Sequence, residues 1–137
     1  MPTSRRRRRK AARADRPAPP GAAEALLDVE LTDGSLWLVL ANPSDQTAYD
    51  VSVAFQQPLI GVGGDRDVTE MRVFRALPLL RPRREIRVFV DVAREFYARR
   101  QPTRIEARVS WRSGAGERFS RVFEHDLAVW EDFGEIR

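Results

Sequence analysis

From Ala25 onward, apolar side chains fall on every second position in one short run after another. That spacing fills one face of a pleated strand and cannot line one face of a helix. Leu27, Val29 and Leu31 alternate with Asp28, Glu30 and Thr32, and Asp33-Gly34 follows. This pair suits a two-residue hairpin, whose turn positions both need positive φ. Leu36, Leu38 and Leu40 then face one way, with Trp37 and Val39 on the other, so this strand is expected in the middle of a sheet. Asn42-Pro43-Ser44-Asp45 has the composition of a turn. Thr47 to Phe55 is a half-buried strand with Tyr49, Val51, Val53 and Phe55 on one side and Asp50, Ser52 and Ala54 on the other.

A loop around Gly61–Asp67 breaks the pattern. Val68 to Arg75 is expected to be a further strand with Met71 and Val73 inward, and Leu77 to Glu85 a proline-containing connector. Ile86, Val88 and Val90 mark another strand. Ile105, Ala107, Val109 and Trp111 mark the next, and Phe119, Phe123 and Leu127 the last long one, after a hairpin loop at Ser113–Gly116. One short helix is expected over 91–101, where Val92 and Phe96 lie four apart and Pro102 ends the run. At about ten residues it needs packing to persist. Residues 128–137 read as a short edge segment or tail. About seven strands with turn signals between them predict an all-β antiparallel sandwich, with a barrel of similar size as the alternative.

Residues 1–23 carry almost no large apolar side chain, so burial cannot offset the entropy of ordering them. They are expected to form a disordered basic tail, with Arg16-Pro17-Ala18-Pro19-Pro20 a stiffer, polyproline-type spacer. The expected division is a tail over 1–23 and one sandwich domain over 24–137. The total of 137 residues fits one domain. The chain has no cysteine, which excludes disulfides and thiolate-bound zinc. No apolar run approaches the roughly 18 residues of a membrane-spanning helix. No apolar stretch follows the first cations, so no secretion signal is read and a cytoplasmic location is the expectation.

Charge is unevenly spread. Residues 1–24 hold eight basic groups against two acids, a net +6, which leaves the body at −2. Within the body, residues 25–71 sum to −7, residues 72–112 to +8, and residues 113–137 to −3. In a sandwich such blocks interleave, so they can either pair across neighbouring strands or leave a basic face; Arg81, Arg83, Arg84 and Arg87 are its candidates.

Three stretches carry a family resemblance: VLANPSDQTAYDVSVAF (Val39–Phe55), LPLLRPRREIRVFVDV (Leu77–Val92) and RIEARVSWRSGAGERFSRVFEHDL (Arg104–Leu127). They resemble bacterial immunoglobulin-like sandwich modules of the CARDB and NEW3 type. In those modules a strand-end Asn precedes a short turn and an Ala-x-x-Val-x-Val strand, here Asn42, Ala48, Val51 and Val53. A Leu-x-Pro-Gly-Glu connector usually follows. In Leu80–Glu85 one residue is added and Arg83 stands where glycine is usual. The resemblance covers about three-quarters of the chain and implies an immunoglobulin-like sandwich used for adhesion, spacing or protein contact. It carries no catalytic residues.

Individual side chains offer little chemistry. His125 is the only histidine, with no motif to supply partners, and reads as a structural or edge residue. Gly61, Gly63 and Gly64 lack the Lys-Ser/Thr and the helix that a phosphate loop needs, and read as a flexible inter-strand loop. Asp65 and Asp67 have no closing glutamate for a calcium loop. The serines lack a nucleophile elbow. Trp37, Phe89, Trp111 and Trp130 sit partly among arginines, an arrangement usable for base stacking but equally for core and cross-strand contacts. Enzyme activity, a metal, a cofactor and a small-molecule substrate are not expected.

The run Arg5, Arg6, Arg7, Arg8, Arg9 and Lys10 is the most informative feature. Six successive cations attract polyanions, whether nucleic acid, with counterion release, or an anionic membrane surface; the bland alternative is a solubilising tail or a misassigned start. The leading expectation is an interaction module whose sandwich contacts a protein partner and whose tail attaches to a polyanion, nucleic acid first. A structural subunit of a larger assembly, such as a phage or envelope particle, and a membrane-surface protein are the alternatives. The sequence leaves the oligomeric state open.

Overall fold

The computed structural model describes residues 16–132. The fold is an all-β antiparallel sandwich. One sheet holds β1 (Leu26–Thr32), β2 (Ser35–Ala41) and β7 (Glu85–Val92) in the order β1-β2-β7. The other holds β3 (Ala48–Phe55), β6 (Leu77–Leu80), β8 (Arg104–Arg112) and β9 (Arg118–Asp126) in the order β6-β3-β8-β9. A small hairpin, β4 (Ile60–Gly61) with β5 (Arg66–Asp67), lies between β3 and β6 in sequence.

The core forms where the alternating apolar faces meet. Leu27 of β1, Leu36, Leu38 and Leu40 of β2 and Val90 of β7 face Val51 of β3, Val109 and Trp111 of β8 and Phe119 of β9, all at most 2% exposed. Each such large side chain stabilises the fold by about 1.5–3 kcal/mol on full burial. β2 lies centrally as expected, with Val39 on its outer face also buried. Asp33 and Gly34 both have positive φ, 52° and 75°, and join β1 to β2 in a two-residue hairpin.

Four expectations need correction. In β3 the inward face is Ala48, Val51 and Val53, not Tyr49 with Val51. Asp50, at φ 49°, introduces a register shift that switches the facing of the strand; Asp tolerates this left-handed geometry better than most residues. Residues 68–75 are not a strand. They form a 3-10 turn (Val68–Glu70) and the single-turn helix α1 (Arg72–Arg75), and it is Val68 and Phe74 that are buried. The Asp67 carboxylate accepts from both the N–H and the hydroxyl of Thr69, a local bond that competes with ladder formation. Within the expected connector, Leu77–Leu80 is strand β6, and Pro78 is tolerated because β6 is an edge strand. The helix is shorter than 91–101: α2 spans Ala93–Ala98 and buries Ala93 and Phe96, while Val92 is exposed.

The N-terminal boundary also moves. Residues 16–23 were expected in the disordered tail, yet they pack against the sandwich. Ala23 is buried, its carbonyl accepts the Trp111 indole N–H at 2.7 Å, and the Arg16 carbonyl accepts the Ser120 N–H at 3.0 Å. Small side chains let this strap lie close to the sheet edge, where a bulky segment would stand off. The rest of the expected tail, residues 1–15, lies outside the described residues.

Strand registers define two ends. Leu26, Ala41 and Glu85 are aligned across one sheet, and Leu80, Ala48, Arg112 and Arg118 lie together in the other. One end of the sandwich therefore carries Glu24 and the connections 42–47, 81–84 and 113–117. The opposite end carries 33–34, 56–76 and 93–103.

Candidate polyanion interface

Asn42 organises the end that carries the arginine turn. It is buried, and its side-chain amide donates to the carbonyls of Gln46 at 2.8 Å and Leu80 at 2.9 Å. Its Oδ1 accepts from the N–H and hydroxyl of Ser44, and its backbone N–H donates to the Arg84 carbonyl at 2.9 Å. The Ser44 hydroxyl oxygen also accepts the Glu24 N–H at 3.3 Å. The Asn42 side chain thus joins both sheets and, through Ser44, the strap, which is why an Asn suits this strand end, while its backbone N–H holds the turn Arg81–Arg84.

Of the candidate basic face, the structure brings together Arg81, Arg83 and Arg84, all exposed on that one turn. Arg83 pairs with Asp45 at 2.7 Å. The side chains of Arg81 and Arg84 make no ion pair or hydrogen bond among the described residues. Arg87 lies apart, on the outer face of the three-stranded sheet. Its guanidinium sits 4.7 Å from the Trp37 ring centroid and pairs with Glu30 at 3.1 Å. Trp37 in turn meets Phe89 edge-on at 5.5 Å, so these aromatics are cross-strand partners. The Trp37 indole N–H is buried without an acceptor among the described residues. Arg5–Arg9 and Lys10 lie outside the described residues.

The charge blocks of the sequence interleave in space. Arg75–Glu70, Arg83–Asp45, Arg87–Glu30 and Arg112–Asp50 each join an arginine of the basic block to an acid of the acidic block. These pairs are largely exposed and each contributes little stability, about 0–1 kcal/mol. Their consequence is electrostatic: much of the +8 segment is locally neutralised.

The remaining sequence candidates have structural partners. His125 Nε2 lies 2.8 Å from the Leu27 carbonyl, an acceptor, so Nε2 carries the proton and bridges β9 to β1. Gly61 approaches the Val90 backbone so closely that an added Cβ would meet its carbonyl oxygen at 2.1 Å. The glycine segment is thus packed against β7, where a flexible loop was expected. Asp67 also accepts the Leu59 N–H at 3.2 Å. Burial pushes its pKa up, but the Thr69 hydroxyl, the Leu59 and Thr69 N–H groups and Arg75 together outweigh this and leave it lowered. Asp126 is lowered chiefly by the Ala128 N–H, then by the Thr103 hydroxyl and Arg104. Among the described residues no group of three acids or histidines is placed to hold a metal ion, and no helix is long and apolar enough to cross a membrane. A cleft of about 160 Å³ lies between the strap and the sandwich, lined by Pro17, Ala18, Leu26, Trp111 and Arg121 among others.

One polar cluster had no sequence signal. Asp91, 1% exposed, accepts from Arg99 at 2.5 Å, from the Val92 N–H at 2.9 Å and from the Gly63 N–H at 3.2 Å. Arg99 also donates to the Ile60 carbonyl and to Gln101. These groups clamp the β4 segment and the end of α2 onto β7. Asp91 and Arg99 belong to no motif, and only the fold brings the Gly63 N–H to them.

Residues 3–131 match the model of a family described as Domain of unknown function (DUF8453). The chain belongs to the DUF8453 family. The matched span takes in the basic run as well as the sandwich. No curated protein and no solved structure matches this DUF8453 member.

Proposed function

We propose that the chain is a non-enzymatic interaction module: an immunoglobulin-like sandwich that contacts a protein partner, with an arginine-rich leader that attaches to nucleic acid. The observation that carries the polyanion half is the partition of charge. Residues 1–24 hold a net +6, while Arg75, Arg83, Arg87, Arg99 and Arg112 of the body's basic block are engaged by acids. Six consecutive cations repel one another, and each phosphate they neutralise releases a counterion.

The strand order supports the immunoglobulin-like half. With the seven longer strands taken as A to G, the first, second and fifth share a sheet and the third, sixth and seventh lie side by side in the other. That is the grouping of a constant-type immunoglobulin domain except for the fourth strand, β6, which sits with the second sheet. The likeness of Val39–Phe55 and Arg104–Leu127 to CARDB and NEW3 modules points toward protein contact. Fold likeness by itself assigns no partner.

The test compares duplex-oligonucleotide binding by the intact protein and by a chain lacking residues 5–10. The deletion is expected to weaken binding at least about tenfold at low salt and to flatten the salt response. Equal affinities would remove the nucleic-acid half. For the other half, the leaderless sandwich is expected to retain a protein partner in a pull-down after nuclease treatment; loss of every captured protein on nuclease treatment would remove it.

A further inference from the structure

We infer that the turn Arg81–Arg84 is a second phosphate-contacting element, acting with the leader on one nucleic-acid backbone. This rests on the polyanion reading and extends it from the leader to the folded body. The turn presents three guanidinium groups in four residues. Those of Arg81 and Arg84 have no side-chain partner among the described residues. Arg83 is held only by Asp45, in a pair whose side chains are 71% and 75% exposed, so a phosphate can compete for it. Guanidinium groups match phosphate oxygens two at a time, which makes arginine suited to this contact.

The backbone supplies an independent observation. The Arg84 N–H donates to the Arg81 carbonyl at 3.3 Å, and Arg83 has φ 57°. Proline holds φ near −65° at the second position, so this is a type II turn, whose third position favours glycine. An arginine there is strained, and Arg83 is exposed, so no packing contact explains it. Exposed Val62 and Arg100 share this backbone geometry, at φ 53° and 56°; what sets Arg83 apart is that its turn also carries Arg81 and Arg84.

Placement joins the turn to the leader. The Asn42 N–H is bonded to the Arg84 carbonyl, and Asn42 Oδ1 to Ser44, whose hydroxyl accepts from Glu24 at the end of the strap. Arg16, the first described residue after the leader, pairs with Glu117 of the 113–117 connection at the same end at 3.6 Å, so leader and turn can meet the same duplex. The connections at this end offer no large apolar side chain to enter a bilayer. Among the described residues, exposed Val62, Val92 and Val129 belong to the opposite end and Val122 lies midway along β9, which leaves a lone Leu79, on edge strand β6, near the turn. That favours a phosphate backbone over a membrane.

The experiment is a plot of log affinity against log salt for a duplex oligonucleotide, with the intact protein, the double variant Arg81→Ala/Arg84→Ala, Arg83→Gly, and Arg87→Ala as a control outside the turn. Each lost phosphate contact makes the slope shallower by about 0.9. The double variant is expected to lose about 2 in slope and Arg83→Gly about 1, with Arg83→Gly also melting at a higher temperature; Arg87→Ala is expected to leave the slope unchanged. Unchanged slopes for both turn variants, with the intact protein binding normally, would overturn the inference alone. So would an equal loss with Arg87→Ala, which would mean that overall charge is being read. No duplex binding by the intact protein would overturn the leader's role and this inference together. Binding of the intact protein to phosphatidylserine vesicles but not to duplex, with the double variant reducing it, would assign the turn to a membrane instead and overturn the nucleic-acid contact.

Discussion

The indole N–H of Trp111 donates to the carbonyl of Ala23 at 2.7 Å, with both residues at most 2% exposed. This bond pins the strap to β8 and so fixes where residues N-terminal to it meet the domain. Trp111→Phe would keep most of the packing but leave the Ala23 carbonyl buried without its partner. The expected loss is about 1–3 kcal/mol, read from the urea midpoint at unchanged slope. Amide exchange at Ser120, whose N–H is bonded to the Arg16 carbonyl, is expected to accelerate in the same variant.

Asp91 and Arg99 form a largely buried ion pair, at 1% and 25% side-chain exposure. Asp91→Ala removes the carboxylate that also accepts the Gly63 and Val92 N–H groups. Breaking a buried pair costs about 3–5 kcal/mol. Arg99 can turn toward solvent, so a loss near the lower figure is expected. Chemical denaturation measures it, and amide exchange should quicken first at residues 60–64.

Arg83→Gly should stabilise the protein. A left-handed residue with a Cβ costs roughly 1–2 kcal/mol, and glycine returns about 0.5–1 kcal/mol of that in unfolded-state entropy. The net gain is about 0.5–1 kcal/mol, since the exposed Asp45 pair contributes little. A thermal melt checks the direction, and a fall in melting temperature would mean that the Asp45 contact or a non-turn backbone holds this segment.

Tyr97 donates its hydroxyl to the Leu127 carbonyl at 2.6 Å. Burial, then the nearby Glu131 and Asp126, push its pKa up from 10.0 to about 12. The fold therefore favours the neutral phenol, and this contribution is fully present below pH 10 and lost as pH rises through about 12. Stability measured across that window should fall more steeply for the native chain than for Tyr97→Phe, and parallel curves would contradict the assignment. On the acid side the lowered carboxyl of Asp67 contributes stability that is present above its ordinary value of 3.8 and lost as pH falls through its lower folded value.

The sandwich was legible because alternation is a property of the strand itself. β1, β2, β7, β8 and β9 bury the apolar parity that their residues announce, as in Leu36, Leu38 and Leu40. β3 was half legible: Asp50 switches the face midway, and nothing in the residue types alone marks a bulge. β6 was hidden by Pro78, because edge strands tolerate what central strands do not. Residues 68–75 misled because Asp67 bonds locally to Thr69, a choice that the spacing of Met71 and Val73 does not reveal. Of the candidate site, the arginines of the turn could be named from sequence, but not the separation of Arg87 from them. That depends on the pleat of β7, which turns Arg87 to the outer face of its sheet with Trp37 and Glu30 while 81–84 stays at the end. Asp91 and Arg99 needed tertiary structure, since their shared partners on residues 60–63 come from a distant segment.

Amide chemical-shift mapping of the isotopically labelled full chain, with and without a duplex oligonucleotide, tests the assignment of function most directly. The shifts expected to move lie in 5–24, 42–47 and 81–85, with 113–118 next to them. The outer faces around Trp37 and Phe89 on one sheet and Glu106 and Glu124 on the other should stay still. A shift pattern centred on either sheet face, or none at all at low salt, would contradict it.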